Sequence, residues 1–147
     1  MVVDISDEKL VLAQHSGADE VHRSDQISVQ DKQQTKSLRA RATIVASGSS
    51  AAYEMALPLT ASHGHTIAIG VSPQRVPVNL LEMVTRDLSL VATNQGSRQE
   101  LAECLEIAAT AGLKPEVEIR QLDELEEGFR ELMEGNVSGR LVYRLWK

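Results

Sequence analysis

Asp4 closes a short apolar run, Met1-Val2-Val3, and Ile5-Ser6-Asp7-Glu8 follows it at once as the beginning of a helix. A carboxylate at the carboxyl end of a strand is placed to accept both hydroxyls of a nucleotide ribose, and its charge opposes a 2′-phosphate. That chemistry favours NAD over NADP. The alternative is an ordinary strand-end acid beside a helix N-terminus. In folds that use such an acid, a strand, a Gly-rich turn and a helix stand roughly 20 residues upstream. Three residues precede Asp4, so the chain is expected to begin in the middle of that motif.

Other residues with chemical potential lie at polar, glycine-bearing breaks: Ser47-Gly48-Ser49, Gly70-Val71-Ser72 and Thr93-Asn94-Gln95-Gly96. Gly48 and Gly70 either let a ligand approach the backbone closely or serve as turn glycines. His63 and His65 flank Gly64 and invite a metal reading. Zinc usually takes four ligands, and no Cys or suitably spaced acid is near them, so exposed turn histidines are expected. Cys104 falls on the apolar side of its segment and reads as core packing. No G-x-S-x-G elbow or other nucleophile-base pair is present. Arg140, just after Gly139, either reaches a phosphate or is a solvated edge charge.

These residues need elements to place them. Ser6 is a suitable N-cap, Asp7 and Glu8 put negative charge in the first turn, and Gly17 suits a left-handed terminus, which predicts a helix over 7–16. Ala18 to His22 reads as a short second strand. Arg23 to Arg41 is almost all polar, with Ile27, Val29 and Leu38 as its large apolar residues, and predicts a frayed helix or mobile connector. Thr43-Ile44-Val45-Ala46 then reads as a strand. The serines after it cap a helix through Ala51, Tyr53, Met55, Ala56 and Leu59, which Pro58 interrupts or kinks.

Thr66 through Val71 is a nearly unbroken apolar run, of the kind buried on both faces of a parallel sheet. Pro73 and Pro77 enforce an extended link to a short helix at Leu80, Leu81 and Val84, and a strand over 88–93 follows. Ser97-Arg98-Gln99-Glu100 is a capping-box pattern for a helix with Leu101, Leu105 and Ala108 on one face, ended by Gly112. Val117 to Arg120 alternates as a strand. Asp123 with Glu126 resembles a second capping box, for a helix striped by Leu125, Phe129, Leu132 and Met133 and ending at Gly135; Gly139 opens a last strand, 141–145. The alternation predicts an α/β fold with a largely parallel sheet, its ligands beyond the carboxyl ends of the strands.

At 147 residues the chain has room for one domain with a real core, since a domain of about 150 residues buries roughly 70% of its unfolded surface. Fifteen basic against twenty-one acidic residues give a net charge of −6, and with four aromatic residues no basic patch is interleaved with rings, which disfavours nucleic acid. The apolar runs fall far short of the roughly 18 residues that span a bilayer, and no basic-then-apolar signal opens the chain. One cysteine excludes an intrachain disulfide and a Cys-built zinc site. A soluble, cytoplasmic protein is the expectation.

The ordered series Val3-Asp4-Ile5-Ser6-Asp7-Glu8-Lys9-Leu10, Gly17-Ala18-Asp19-Glu20-Val21, Gly48-Ser49, Gly64 to Gly70-Val71, Val76-Pro77-Val78, Leu80-Leu81-Glu82, Ser97-Arg98-Gln99-Glu100-Leu101 and Gly139-Arg140-Leu141-Val142 resembles the C-terminal half of the zinc-type, medium-chain alcohol dehydrogenases. The resemblance covers nearly the whole chain except roughly Arg23 to Arg41. It implies an incomplete Rossmann-like, doubly wound parallel sheet over 1–112, without the first strand and Gly-rich turn, and a segment over 113–147 that in the family returns to the catalytic domain. It implies a dinucleotide, NAD, with Asp4 holding the adenosine ribose and Lys9 beside it. Ser47 and Gly48 would border the adenosine and nicotinamide-ribose side, Gly70 and Val71 would approach the nicotinamide, Thr93 would lie near the carboxamide and Arg140 would face the pyrophosphate. It also implies a homodimer joined at the edge strand around Leu88 to Thr93.

The departures are the absent Gly-rich turn, the absent domain that carries the catalytic zinc ligands, and Val45, where many members have an acid. With the first strand missing, the strand ending in Asp4 is expected to lack a neighbour on one side, unless the half-sheets close up or another chain fills the gap. Two readings follow: the cofactor-binding portion of an NAD-dependent alcohol dehydrogenase, inactive alone, or a non-catalytic truncated remnant or self-associating interaction module.

Overall fold

A computed structural model describes residues 1–27 and 39–146. Of the polar connector expected from Arg23 to Arg41, the part from 28 to 38 lies outside the described residues. The elements in chain order are β1 (Val2–Asp4), α1 (Asp7–His15), β2 (Val21–Arg23), a 3-10 turn (Ser24–Gln26), β3 (Ala40–Val45), α2 (Ser50–Leu59), β4 (Thr60–Ala68), α3 (Leu80–Arg86), β5 (Ser89–Ala92), α4 (Arg98–Ala111), β6 (Val117–Gln121), a second 3-10 turn (Leu122–Glu124), α5 (Leu125–Glu134) and β7 (Arg140–Arg144). The fold is α/β, as the alternation of strand and helix patterns predicts. The chain divides into two compact units, one of Met1–Val21 with Gly96–Lys147 and the other of His22–Gln95.

The 22–95 unit is built on a parallel three-stranded sheet in the order β3-β4-β5. Thr43 pairs with Thr66, Ile44 with Ile67 and Val45 with Ala68, and the same residues of β4 meet Leu90, Val91 and Ala92 on β5. Because side chains alternate across a strand, one face of this sheet carries Thr43, Val45 and Thr66 and the other carries the row Ile44, Ile67, Val91. Helix α2 covers the first face, and Val45, Tyr53, Leu57, Leu59 and Leu88 form the buried core. Inside it, the Thr60 hydroxyl lies 2.8 Å from that of Thr66 and 2.7 Å from that of Thr43, and donates to the Ala56 carbonyl at 3.0 Å. Such a cluster is tolerable in a core because each hydroxyl has a partner.

Pro58 sits inside α2, which ends one residue later at Leu59; its ring supplies no N–H for the Glu54 carbonyl, and the chain turns directly into β4. The early part of β4 is irregular, with Ala40 facing Thr60 but Ala42 facing His65. Gly64 is buried there, and a Cβ on it would lie 2.6 Å from the Ala61 carbonyl oxygen. The apolar run expected to be buried through Val71 stops at Ala68: Ile69 is 50% exposed and Val71 is 86% exposed. Asn79 caps α3 by accepting the Glu82 N–H, and Asp87 ends it in the left-handed conformation at φ 52°.

In the other unit, the Val2 N–H of β1 donates to the Glu20 carbonyl at 2.8 Å, just ahead of β2. The second strand therefore begins at Val21, three residues later than Ala18-Asp19-Glu20 suggested. Ser97 and Glu100 form a complete capping box on α4, and Gly112 ends that helix at φ 65°. The apolar face of α4 is exposed, however: Leu101 and Leu105 are 59% and 62% exposed, and Cys104 is exposed rather than packed in a core. Among the described residues no element covers that stripe, so its amphipathic pattern marks a face without a partner.

Strands β6 and β7 pair in parallel from Val117 with Arg140 to Gln121 with Arg144. Helix α5 covers the face that carries Arg120, Leu141 and Tyr143; Gly128 is buried there because a Cβ on it would collide with the Tyr143 hydroxyl. Arg120 reaches both Glu118, at 2.7 Å, and Glu131, at 2.6 Å, and these two hydrogen bonds hold its guanidinium protonated well beyond the usual range. The cap expected from Asp123 and Glu126 is displaced to Gln121 and Glu124, which close the 3-10 turn ahead of α5.

Candidate functional site

The carboxyl ends of β3, β4 and β5 converge in the 22–95 unit. The Val45 carbonyl accepts the N–H groups of Ile69 at 3.0 Å and Gly70 at 2.8 Å, and the Thr93 N–H donates to the Ala68 carbonyl at 3.1 Å. The ladder is thereby carried one or two residues past each strand end, and the turns after β3 and β4 are drawn together. A Cβ on Gly70 would lie 2.2 Å from the Ser47 carbonyl oxygen, and one on Gly48 would lie 2.9 Å from the Val71 carbonyl oxygen. Neither glycine has a positive φ. Both are required for space, because the backbones of the two turns approach each other there.

Ser47, Gly48, Gly70 and Val71 are thus brought together, with Thr93 one strand further along. Ser47 Oγ accepts the Ser49 N–H at 3.2 Å just ahead of α2, and the Ser50 hydroxyl lies 3.4 Å from Gln74 Oε1. The sequence reading missed Tyr53. Its side chain is 5% exposed, and its hydroxyl donates to the Gly70 carbonyl. A tyrosine on an otherwise apolar helix face was the available signal, because a buried phenol needs a hydrogen-bond partner.

Asp4, Lys9 and Arg140 lie in the other unit. Asp4 is half-buried and Oδ1 accepts the Ser6 N–H at 2.9 Å, a local bond that uses one carboxylate oxygen. Ser6 Oγ accepts the Lys9 N–H at 3.4 Å, so Asp4 and Lys9 flank one capping turn, and the Lys9 side chain is exposed. The Ser138 hydroxyl donates to Glu8 Oε1 at 2.6 Å and ties the turn before β7 to the first turn of α1. Gly139 makes that turn at φ 89°, and the Arg140 N–H then donates to the Glu116 carbonyl at 3.0 Å while its guanidinium stays exposed. The Ser138–Glu8 bond is a link across 130 residues that no local pattern signals.

His63 is exposed, and Nδ1 lies 2.9 Å from Asp87 Oδ2. Among the described residues no group of three or more His, Cys, Asp or Glu side chains could hold a metal ion, and no helix is long and apolar enough to cross a membrane. A cavity of about 320 Å³ lies along the second half of α2, between Glu54, Leu57, Pro58, Pro77, Asn79 and Met83, away from the strand ends.

A family profile described as zinc-binding dehydrogenase matches residues 1–110. An alcohol dehydrogenase of Geobacillus stearothermophilus is 29% identical over 145 residues, which are 99% of this chain and 43% of that protein. The crystal structure of the alcohol dehydrogenase of the hyperthermophilic archaeon Aeropyrum pernix matches with a TM-score of 0.84 and 26% identity, over 95% of this chain and 40% of that one. The structure of an NAD-dependent alcohol dehydrogenase matches with a TM-score of 0.82 and 24% identity, over 98% of this chain and 43% of that one. The chain therefore spans about two-fifths of the length of these relatives. The fold they share with it is a partial Rossmann-like one.

Proposed function

The chain belongs to the zinc-binding dehydrogenase family, and on that premise we propose that it forms the NAD-binding portion of an alcohol dehydrogenase. The bound cofactor would supply a hydride acceptor for an alcohol carbon; the chain's own residues bind and orient it. Asp4 holds the adenosine ribose with Lys9 beside it, and its charge selects NAD over NADP. Ser47 and Gly48 border the adenosine and nicotinamide-ribose side, Gly70 and Val71 approach the nicotinamide, Thr93 lies near the carboxamide and Arg140 faces the pyrophosphate. Residues 1–112 form the partial cofactor domain and 113–147 the segment that returns toward a catalytic domain, in a cytoplasmic enzyme paired through the edge of β5.

The observation that supports this reading best is the close approach of the turns after β3 and β4, where a Cβ on Gly70 or Gly48 would meet the Ser47 or Val71 carbonyl oxygen. Closed parallel strand ends with bare backbone are where α/β folds receive nucleotides. A zinc ion does not fit the described residues, since no group of three or more His, Cys, Asp or Glu side chains among them could hold it. The isolated chain is therefore expected to have no dehydrogenase activity. Isothermal titration of NAD and NADP into the chain, with and without a polypeptide supplying the remainder of the enzyme, tests the reading. NAD binding stronger than NADP binding is expected, and no NAD binding in either setting would overturn it.

The exposed Ile44 and Val91, on either side of the half-buried Ile67, favour a second reading, a non-catalytic module that associates with itself. A monomer across the accessible concentration range by light scattering would count against it.

A further inference from the structure

We propose that Tyr53 is the positioning residue of this cofactor cradle: its buried phenol fixes the plane of the Gly70–Val71 peptide, an inference that rests on the cofactor reading of Ser47, Gly48, Gly70 and Val71. Both polar groups of Gly70 are held. Its N–H donates to the Val45 carbonyl at 2.8 Å, and its carbonyl accepts the Tyr53 hydroxyl. Its Cα faces the Ser47 carbonyl so closely that no side chain fits. Gly70 is thus pinned from the sheet, from the neighbouring turn and from α2.

The phenol supplies the pin that the sheet cannot. β4 ends at Ala68, so the Gly70 carbonyl lies two residues beyond the last ladder position. Without Tyr53, the Gly70 carbonyl would have to find water at the edge of a core. In a trans peptide the C=O and the following N–H point in opposite directions. Tying the Gly70 carbonyl to α2 therefore turns the Val71 N–H away from the Tyr53 side, and Val71 itself is 86% exposed. The Val71 carbonyl in turn rests against Gly48, so the same bond sets the spacing between the two turns that line the cradle.

The test compares Tyr53→Phe with Thr66→Val, measured on the full chain together with the complementing polypeptide. Phe keeps the ring and removes the hydroxyl. Thr66 is fully buried in the same unit and hydrogen-bonds to Thr60 and Thr43, without contact to the turn at 70–71. NADH affinity, read by fluorescence titration well below the unfolding transition, should fall about fivefold in Tyr53→Phe, the scale of one net hydrogen bond. It should stay unchanged in Thr66→Val even though both variants unfold at lower temperature. Amide exchange at Gly70 and Val71 should accelerate in Tyr53→Phe and not in Thr66→Val. Equal losses of affinity in the two variants would reduce Tyr53 to a core residue and overturn the proposal. Undiminished NADH affinity in Tyr53→Phe would overturn it alone. Failure of the unsubstituted chain to bind NADH would overturn the cofactor reading and this inference with it.

Discussion

Gly70 shows how a single atom can decide a site. A methyl group there would lie 2.2 Å from one carbonyl oxygen, whereas on Gly48 it would lie 2.9 Å from another and on Gly96 its nearest neighbour would be the flexible Glu100 side chain at 3.4 Å. Backbone cannot give way as a side-chain tip can, so the three alanine variants should rank in that order. Gly70→Ala is expected to lose about 2–3 kcal/mol of stability, the upper range for overpacking. Gly48→Ala should lose less, and Gly96→Ala should stay within about 0.5 kcal/mol of the parent, as for a surface change. Urea denaturation of the three variants checks this, and a Gly70→Ala protein as stable as the parent would remove the close approach.

Asp4 invites a subtler substitution. Asp4→Asn keeps an oxygen able to accept the Ser6 N–H and removes the charge, so the capping turn should survive. The preference for NAD over NADP should then shrink, because the repulsion of a 2′-phosphate is lost, while affinity for both dinucleotides falls because the amide keeps a single accepting oxygen. Titration of both dinucleotides into this variant reads the ratio directly; an unaltered ratio would leave Asp4 as a capping acid.

Among the elements, α4 offers the clearest pH signature. The Ser97 backbone N–H, and then the Ser97 side chain, hold the Glu100 carboxyl below its reference value of 4.5. A carboxyl whose folded pKa is depressed stabilises the folded helix above its unfolded value. That contribution disappears as pH falls through the lower folded value. Fraying of the first turn of α4 is therefore expected to set in below pH 4.5 and not above it. Amide exchange or chemical shifts at residues 97–100 measure it, and Glu100→Gln should flatten the dependence, since an amide can accept the same bond without titrating.

This helix was legible in the sequence because everything that defines it is local: a cap, an acid three residues on and a glycine at the other end. The same holds for Gly17 and Gly135, both at positive φ where the sequence placed helix ends. Legibility failed where a partner lay far along the chain. Nothing near Tyr53 points to Gly70, and nothing near Glu8 points to Ser138. The site glycines could be found, but their reason, contact with carbonyls more than 20 residues away in sequence, could not. Cys104 failed differently, because an apolar helix face shows that a side chain can be buried and not that a partner is present to bury it.

For the whole molecule, the apolar faces that stay exposed among the described residues are the main physical fact. Parallel sheets are normally covered on both faces, yet α2 covers one face of β3-β4-β5 while Ile44 and Val91 on the other are 64% and 47% exposed. On β6 and β7, opposite α5, Ile119 and Val142 are 61% and 46% exposed. Apolar surface of this kind associates in water, since burying it gains about 25 cal/mol per Å². The relatives, of whose length the chain spans about two-fifths, contain further polypeptide that could supply the cover.

The isolated chain is accordingly expected to bind an apolar dye and to grow in scattering mass with concentration, and the complementing polypeptide should suppress both. Replacing Ile44 and Val91 together by Glu separates the cause from general instability. Both side chains are too exposed to contribute much to the core, so the unfolding midpoint should hold while dye binding and scattering fall. A parent chain that stays monomeric and dye-silent would show that those faces carry no driving force. A double variant that keeps the parent's dye binding and scattering would place the sticky surface elsewhere, on the exposed stripe of α4 or on β6 and β7.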